Sequence, residues 1–167
     1  EAEKLLRKAV ILKPDYAEAY NNLGNILKKL DKLKEAENSY KKAIEVNPDF
    51  VEAHNNLGII LNDFGEFKEA EKLFRKAIIL KPDYSNAFFN LGNLFIGLEN
   101  LKEAELYLRK AIELKPEYAN SYSNLGSVLR DLGKLEDAEE YFYKAIDLNP
   151  NLSKTYFVLS TLKKSSL

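Results

Sequence analysis

Apolar residues recur along this chain at helical spacing, in short runs broken by polar turns. Between Ala17 and Leu30, the residues Tyr20, Leu23, Leu27 and Leu30 fall three or four positions apart, on one face of a helix. Asp31-Lys32 breaks the run. The equivalent turns carry Gly65 and Gly133, and glycine is favoured at a helix C-terminus. A second run from about Leu33 to Val46 turns Ala36, Tyr40, Ala43 and Ile44 inward. Pro48 stops it, because proline lacks the amide donor and its ring clashes with the preceding turn. Asp49 follows in the connecting turn. The pattern predicts a pair of helices over residues 17–50.

That pair repeats. The only five prolines are Pro14, Pro48, Pro82, Pro116 and Pro150, and each step between them is 34 residues. The columns Ala9, Ala43, Ala77, Ala111, Ala145 and Leu23, Leu57, Leu91, Leu125, Leu159 keep the same step. Gly24, Gly58, Gly92 and Gly126 do so too, until Ser160 ends their column. Complete repeats span 17–50, 51–84, 85–118 and 119–152. Residues 1–16 read as the second helix of a preceding repeat and 153–167 as the first helix of a following one, for nine helices in total. Gly24, Ala36 and Ala43 are small where a neighbouring backbone is expected to come close, since bulk there would force the helices beyond an interaxial distance of about 8–10 Å.

The two ends differ. Lys163 and Ser166 fall at apolar positions, so the last helix is expected to be solvated on one side, as a capping helix is. At the start, Ala2, Leu6 and Ala9 face a helix that this sequence does not supply. The natural protein is therefore expected to extend further. The opening Glu1-Ala2-Glu3 without methionine reads as a fragment or a processed product. The apolar stripe on the first helix also predicts self-association.

Composition changes the picture mainly by exclusion. With 46% apolar residues in 167, the chain can bury a core and is not a disordered one. Lys+Arg total 25 against Asp+Glu 26, for a net charge of −1. That lacks the basic excess of a nucleic-acid binder or a polybasic membrane anchor. No apolar run approaches the roughly 18 residues that span a bilayer, and no signal peptide is visible. A cytoplasmic location is expected. Cysteine is absent, which excludes disulfides, thiolate catalysis and zinc–sulfur sites. The single histidine, His54, shares a column with Tyr20, Phe88, Tyr122 and Tyr156, so it reads as a packing residue. Glu3, Glu37, Glu71 and Glu105 each precede Arg7, Lys41, Arg75 or Arg109 by four positions. Such pairs stabilise a helix by about 0.2–0.5 kcal/mol each, which makes them a solvated outer face. No glycine-rich phosphate loop and no nucleophile–base constellation is present. Neither catalysis nor any cofactor or metal is expected.

The order of these residues resembles the tetratricopeptide repeat. That family places an aromatic residue, Leu-Gly, an apolar residue, alanine, an aromatic, alanine and proline in fixed sequence. Here they are Tyr20, Leu23-Gly24, Leu27, Ala36, Tyr40, Ala43 and Pro48. The resemblance covers the whole chain and departs at the end, where Ser160 replaces glycine. It implies an all-α, right-handed superhelical solenoid of antiparallel helix pairs, with the first helices lining a concave groove. It also implies recognition of a protein or an extended peptide.

Similar arrays in O-linked N-acetylglucosamine transferases hold an extended polypeptide with a ladder of asparagines. The resemblance puts Asn22, Asn56, Asn90 and Asn124 in that column, just before each Leu-Gly pair. A carboxamide carries both a donor and an acceptor, so it can bind a peptide backbone without reading side chains. Around the ladder, Asn21, Asn25, Asn55 and Asn86 would keep the groove polar and uncharged, as would Asn93, Asn120, Ser123 and Ser127. Phe89 interrupts the column of Asn21, Asn55 and Ser123 as a candidate apolar contact. Glu18 and Glu52 would favour basic ligand residues near their end. Co-chaperones of the family clamp a C-terminal carboxylate with lysine, asparagine and arginine. The matching positions here lack the lysines, which argues against that role. Two readings stay open: a free-standing adaptor or a scaffold assembling through its ends or its convex face, and the substrate-recognition arm of a larger protein-modifying transferase.

Overall fold

The structure is a computed structural model that describes residues 1–165. It is all-α. Ten helices are found among the described residues: α1 (Ala2–Leu12), α2 (Ala17–Lys29), α3 (Leu33–Val46), α4 (Val51–Asp63), α5 (Phe67–Leu80), α6 (Ser85–Gly97), α7 (Leu101–Leu114), α8 (Ala119–Asp131), α9 (Leu135–Leu148) and α10 (Ser153–Ser165). The expected nine was one short, because four pairs contribute eight helices and each flanking stretch adds one. Consecutive helices pack in adjacent pairs, as in helical solenoids.

Two kinds of turn separate the helices, and each has a local cause. Within a pair, Asp31, Gly65, Glu99 and Gly133 adopt left-handed conformations with φ of 59°, 79°, 57° and 78°. The next amide then reaches back to close the helix end, as from Lys32 to the Leu27 carbonyl at 2.9 Å and from Glu66 to Leu61 at 2.8 Å. Between pairs, the residue before each proline is driven out of helical space by the pyrrolidine ring. Lys13, Asn47, Lys81, Lys115 and Asn149 accordingly have φ between −133° and −146°.

The chain divides into two compact units, Glu1–Pro82 with α1–α5 and Asp83–Leu167 with α6–α10. In the first unit α2 packs on α3, α3 on α4 and α4 on α5, while α2 and α4 also touch side by side. The second unit repeats this arrangement, with α6 on α7, α7 on α8, α8 on α9 and α6 beside α8. Inside each pair a glycine receives a side chain from the partner helix. A Cβ at Gly24 would stand 2.5 Å from the Tyr40 ring, at Gly58 2.7 Å from Phe74 and at Gly126 2.7 Å from Phe142. At Gly92 the intruder is Leu108, at 2.8 Å. The close approach expected of a neighbouring backbone is therefore made by buried side chains, chiefly rings. Ala36 and Ala43 are fully buried beside them.

The outer helices are less well covered. Leu6 and Ala9 on α1 are half-buried and Ala2 is exposed, whereas Ala36, Tyr40 and Ala43 in the same columns of α3 are completely buried. Ile11 and Leu12 are 75% and 85% exposed. On α10, Ser160 is exposed and Phe157 is 70% exposed. Ser166 and the side chain of Lys163 lie outside the described residues. All four glutamate–cation pairs form, at 2.9 Å for Glu3–Arg7, 2.6 Å for Glu37–Lys41, and 2.8 Å for both Glu71–Arg75 and Glu105–Arg109. Among the described residues no helix is long and apolar enough to cross a membrane.

Candidate functional site

In the first unit, α2 and α4 lie side by side and bring their asparagines together. Asn56 donates from Nδ2 to Oδ1 of Asn21 at 3.0 Å and to Oδ1 of Asn25 at 3.2 Å. The Tyr40 hydroxyl donates to the same Asn25 oxygen at 2.9 Å. Burial pushes the Tyr40 phenol up to about 12, which keeps this donor protonated across the physiological range. The Asn56 amide is thus spent on the preceding helix pair, while its Oδ1 accepts no hydrogen bond among the described residues. Asn22, in the same column, is exposed. Asn21 and Asn55 are 6% and 3% exposed, so they belong to the packing between helices and not to an open groove wall. Glu18 and Glu52 are exposed at the start of α2 and α4.

In the second unit, Asn124 donates from Nδ2 to Oδ1 of Asn93 at 2.6 Å, again one helix pair back. Ser123 and Thr155 share a hydrogen bond of 2.7 Å, and Ser127 donates to the Ser123 carbonyl at 3.1 Å. Asn90 is half-buried on α6, and Asn86 and Asn120 are exposed at the helix starts. Phe89 is half-buried and meets Tyr118 edge-on, with ring centroids 5.1 Å apart. Its apolar surface is partly occupied by that contact.

His54 is 6% exposed, and its Nε2 donates to the Pro48 carbonyl at 2.7 Å, as suits a packing residue. Its Nδ1 and the Ser121 hydroxyl are buried without a partner among the described residues. No group of three or more His, Asp or Glu there is placed to hold a metal ion.

A second recess escaped sequence reasoning. In the second unit a cleft of about 500 Å³ opens beside α7, α8 and α9, walled by Tyr122, Tyr141 and Tyr143. Burial raises the Tyr122 phenol above its ordinary value, with Tyr141 and Glu117 adding to the shift, so that ring stays neutral. The one signal in the sequence is Tyr143, which stands where the other second helices carry Arg7, Lys41, Arg75 and Arg109.

Helix pairs of uniform length, closed by proline and packed through a glycine that receives a large side chain of the partner helix, define a helical-repeat protein. Two family profiles, both described as tetratricopeptide repeat, match it, one over residues 17–50 and 119–152 and the other over 49–117. The chain belongs to the tetratricopeptide repeat family. Among solved structures it is similar to YrrB, described as a TPR protein with an unusual peptide-binding site. The identity is 25%, covering 96% of this chain and 83% of that one, with a TM-score of 0.77. It is similar to PilF of Pseudomonas aeruginosa at 27% identity, covering 90% of this chain and 68% of that one, with a TM-score of 0.84. MamA shares the fold at 24% identity, covering 91% of this chain and 89% of that one, with a TM-score of 0.78. No curated protein matches. As a repeat array of this family, the chain is a protein–protein interaction module.

Proposed function

We propose that the face of the first helices binds an extended segment of a partner protein, and that this chain performs no catalysis itself. One observation carries the reading. Asn56 spends its Nδ2 on Asn21 and Asn25 and keeps its Oδ1 unengaged, and Asn124 ties its Nδ2 to Asn93. A rung held in this way presents an acceptor in a fixed direction, ready for a backbone N–H of the ligand. Within each unit, first helices packed side by side about 8–10 Å apart and a strand advancing about 3.3 Å per residue give roughly three ligand residues per rung. Each neutral hydrogen bond would add only about 0.5–1.5 kcal/mol net, so affinity accumulates over the rungs. Backbone contacts tolerate many ligand sequences. Selectivity then falls to neighbours such as Phe89, Glu18 and Glu52. The likeness to YrrB, described by its peptide-binding site, points the same way.

The test selects a binder from a random peptide library on the whole chain and measures its affinity for a variant with Asn22, Asn56, Asn90 and Asn124 all changed to Ala. A loss of more than tenfold at unchanged helicity supports the ladder. Equal affinity would leave the asparagines as structural groups only and favour a scaffold that binds through its ends or other faces. Whether the array stands alone or serves as the recognition arm of a larger transferase, the same groups would make the contact.

A second copy is the occupant we propose for the uncovered stripe on α1, because Leu6 and Ala9 are half-buried where Tyr40 and Ala43 are closed over completely. Leu6→Glu should abolish any dimer seen by light scattering. A monomer at high concentration in the parent chain would end that idea.

A further inference from the structure

The second helices carry a departure that the ladder does not use. α1, α3, α5 and α7 place Arg7, Lys41, Arg75 and Arg109 in one column, and α9 places Tyr143 there. Charge departs with it. In α3 the cations Lys34, Lys41 and Lys42 balance Glu35, Glu37 and Glu45. In α9 the carboxylates Glu136, Asp137, Glu139, Glu140 and Asp147 face a single cation, Lys144. The helix that has lost its arginine is also the acidic one.

The cleft of about 500 Å³ opens at this departure. The Tyr122 and Tyr141 rings form two of its walls, 6.0 Å apart and inclined by 33°. Tyr143, Glu140 and Asp147 complete the rim, with Lys144 beside them. Glu140 and Asp147 make no ion pair among the described residues. Arg109 shows what suits such a ring. Its guanidinium lies 5.5 Å from the Tyr141 centroid and donates to the Tyr141 hydroxyl at 2.8 Å. The corresponding recess of the first unit, about 330 Å³, has Asn38 and Ser39 where this cleft has Glu140 and Tyr141, while Arg7 and Lys42 stand there as Arg109 and Lys144 do here.

We propose that the cleft beside α7, α8 and α9 receives an arginine side chain of a partner protein. A planar guanidinium stacks on an aromatic face, which attracts it through the ring quadrupole. Its N–H fork fits a carboxylate, and Glu140 and Asp147 offer two within the same rim. The acidic surplus of α9 draws a basic segment towards the site. The external arginine approaches the rim where Tyr143 replaces the basic residue of the other second helices. The site is separate from the asparagine ladder and does not depend on it.

The experiment titrates the whole chain with acetyl-Gly-Arg-Gly-amide and follows the tyrosine ring resonances by NMR. The control is the same peptide with citrulline, which keeps the shape and loses the charge. The arginine peptide should shift the rings of Tyr122, Tyr141 and Tyr143, and the citrulline peptide should not. Tyr143→Arg restores the residue type of the other second helices, so the variant should fold, as its helicity would show. It should weaken the arginine peptide about tenfold or more, by supplying a competing internal cation and removing a ring. The fourfold asparagine variant should bind the arginine peptide as the parent does, so failure of the ladder and failure of this cleft are distinguishable. Equal shifts with citrulline, undiminished binding to Tyr143→Arg, or no shift of these rings at all would each overturn the proposal.

Discussion

The two units solve the same packing problem with different residues. In the first, the ring of Tyr40 fills the space over Gly24, and its hydroxyl holds Asn25, which in turn accepts from Asn56. In the second, Leu108 fills the space over Gly92 and has no polar group to offer, so Asn124 rests on Asn93 without that brace. One column thus serves core and ladder together in one unit and only the core in the other. A rung fixed from behind loses less freedom when a ligand arrives, which favours binding through preorganisation.

The largest test of this contrast is alanine in place of the glycines. Gly24→Ala drives a methyl to 2.5 Å from a ring that is itself fully buried. We expect a loss of about 1–3 kcal/mol in urea unfolding. Gly92→Ala meets Leu108, equally buried but 2.8 Å away and smaller than a ring, so the helix-propensity gain of about 1 kcal/mol that both substitutions share offsets more of its cost. Equal losses would break the contrast between ring and leucine.

Tyr40→Phe comes next. Removing the hydroxyl should cost about 1 kcal/mol at neutral pH. It should also change the alkaline limb. The Tyr40 phenol is raised from 10.0 to about 12 by burial, so the folded state retains this proton where the unfolded chain has released it. Its contribution is fully present below about pH 10 and declines as pH rises towards 12. Unfolding curves across that window should fall less steeply in Tyr40→Phe than in the parent.

The rungs themselves give a smaller difference. Asn56→Ala leaves the buried Asn21 without its donor and should cost about 1 kcal/mol. Asn124→Ala breaks one bond to a half-buried partner and should cost about half of that. The smallest effect is a gain. Glu99 holds a left-handed φ of 57° where two equivalent turns carry glycine. Glu99→Gly should stabilise the second unit by about 0.5–1 kcal/mol, the relieved strain less the added chain entropy. Asp31→Gly in the first unit should gain less, since aspartate tolerates this conformation better.

Much of this architecture was legible because the 34-residue step lays equivalent positions over one another. Pro48 and its column end the second helices, and Gly65 and Gly133 mark the turn inside a pair, as the left-handed conformations there bear out. What the columns do not carry is the distance between helices. That distance decides that Asn21 and Asn55 are buried, that the Asn56 amide is already spent, and that Gly24 accommodates a ring and not a backbone. The tyrosine cleft stayed hidden for a related reason. Tyr143 is a single departure from a basic column, and only the packing of α7, α8 and α9 shows that it opens a space.

The central claim is that the rungs offer acceptors to a ligand backbone, and N-methylation of the peptide tests it most directly. A peptide selected on the whole chain would be remade with a methyl group on each backbone nitrogen in turn, and its affinity measured by calorimetry. The account predicts losses of about tenfold at positions recurring roughly every third residue, where a rung accepts an N–H. It predicts little change between them. A peptide that tolerates methylation at every position would contradict the account.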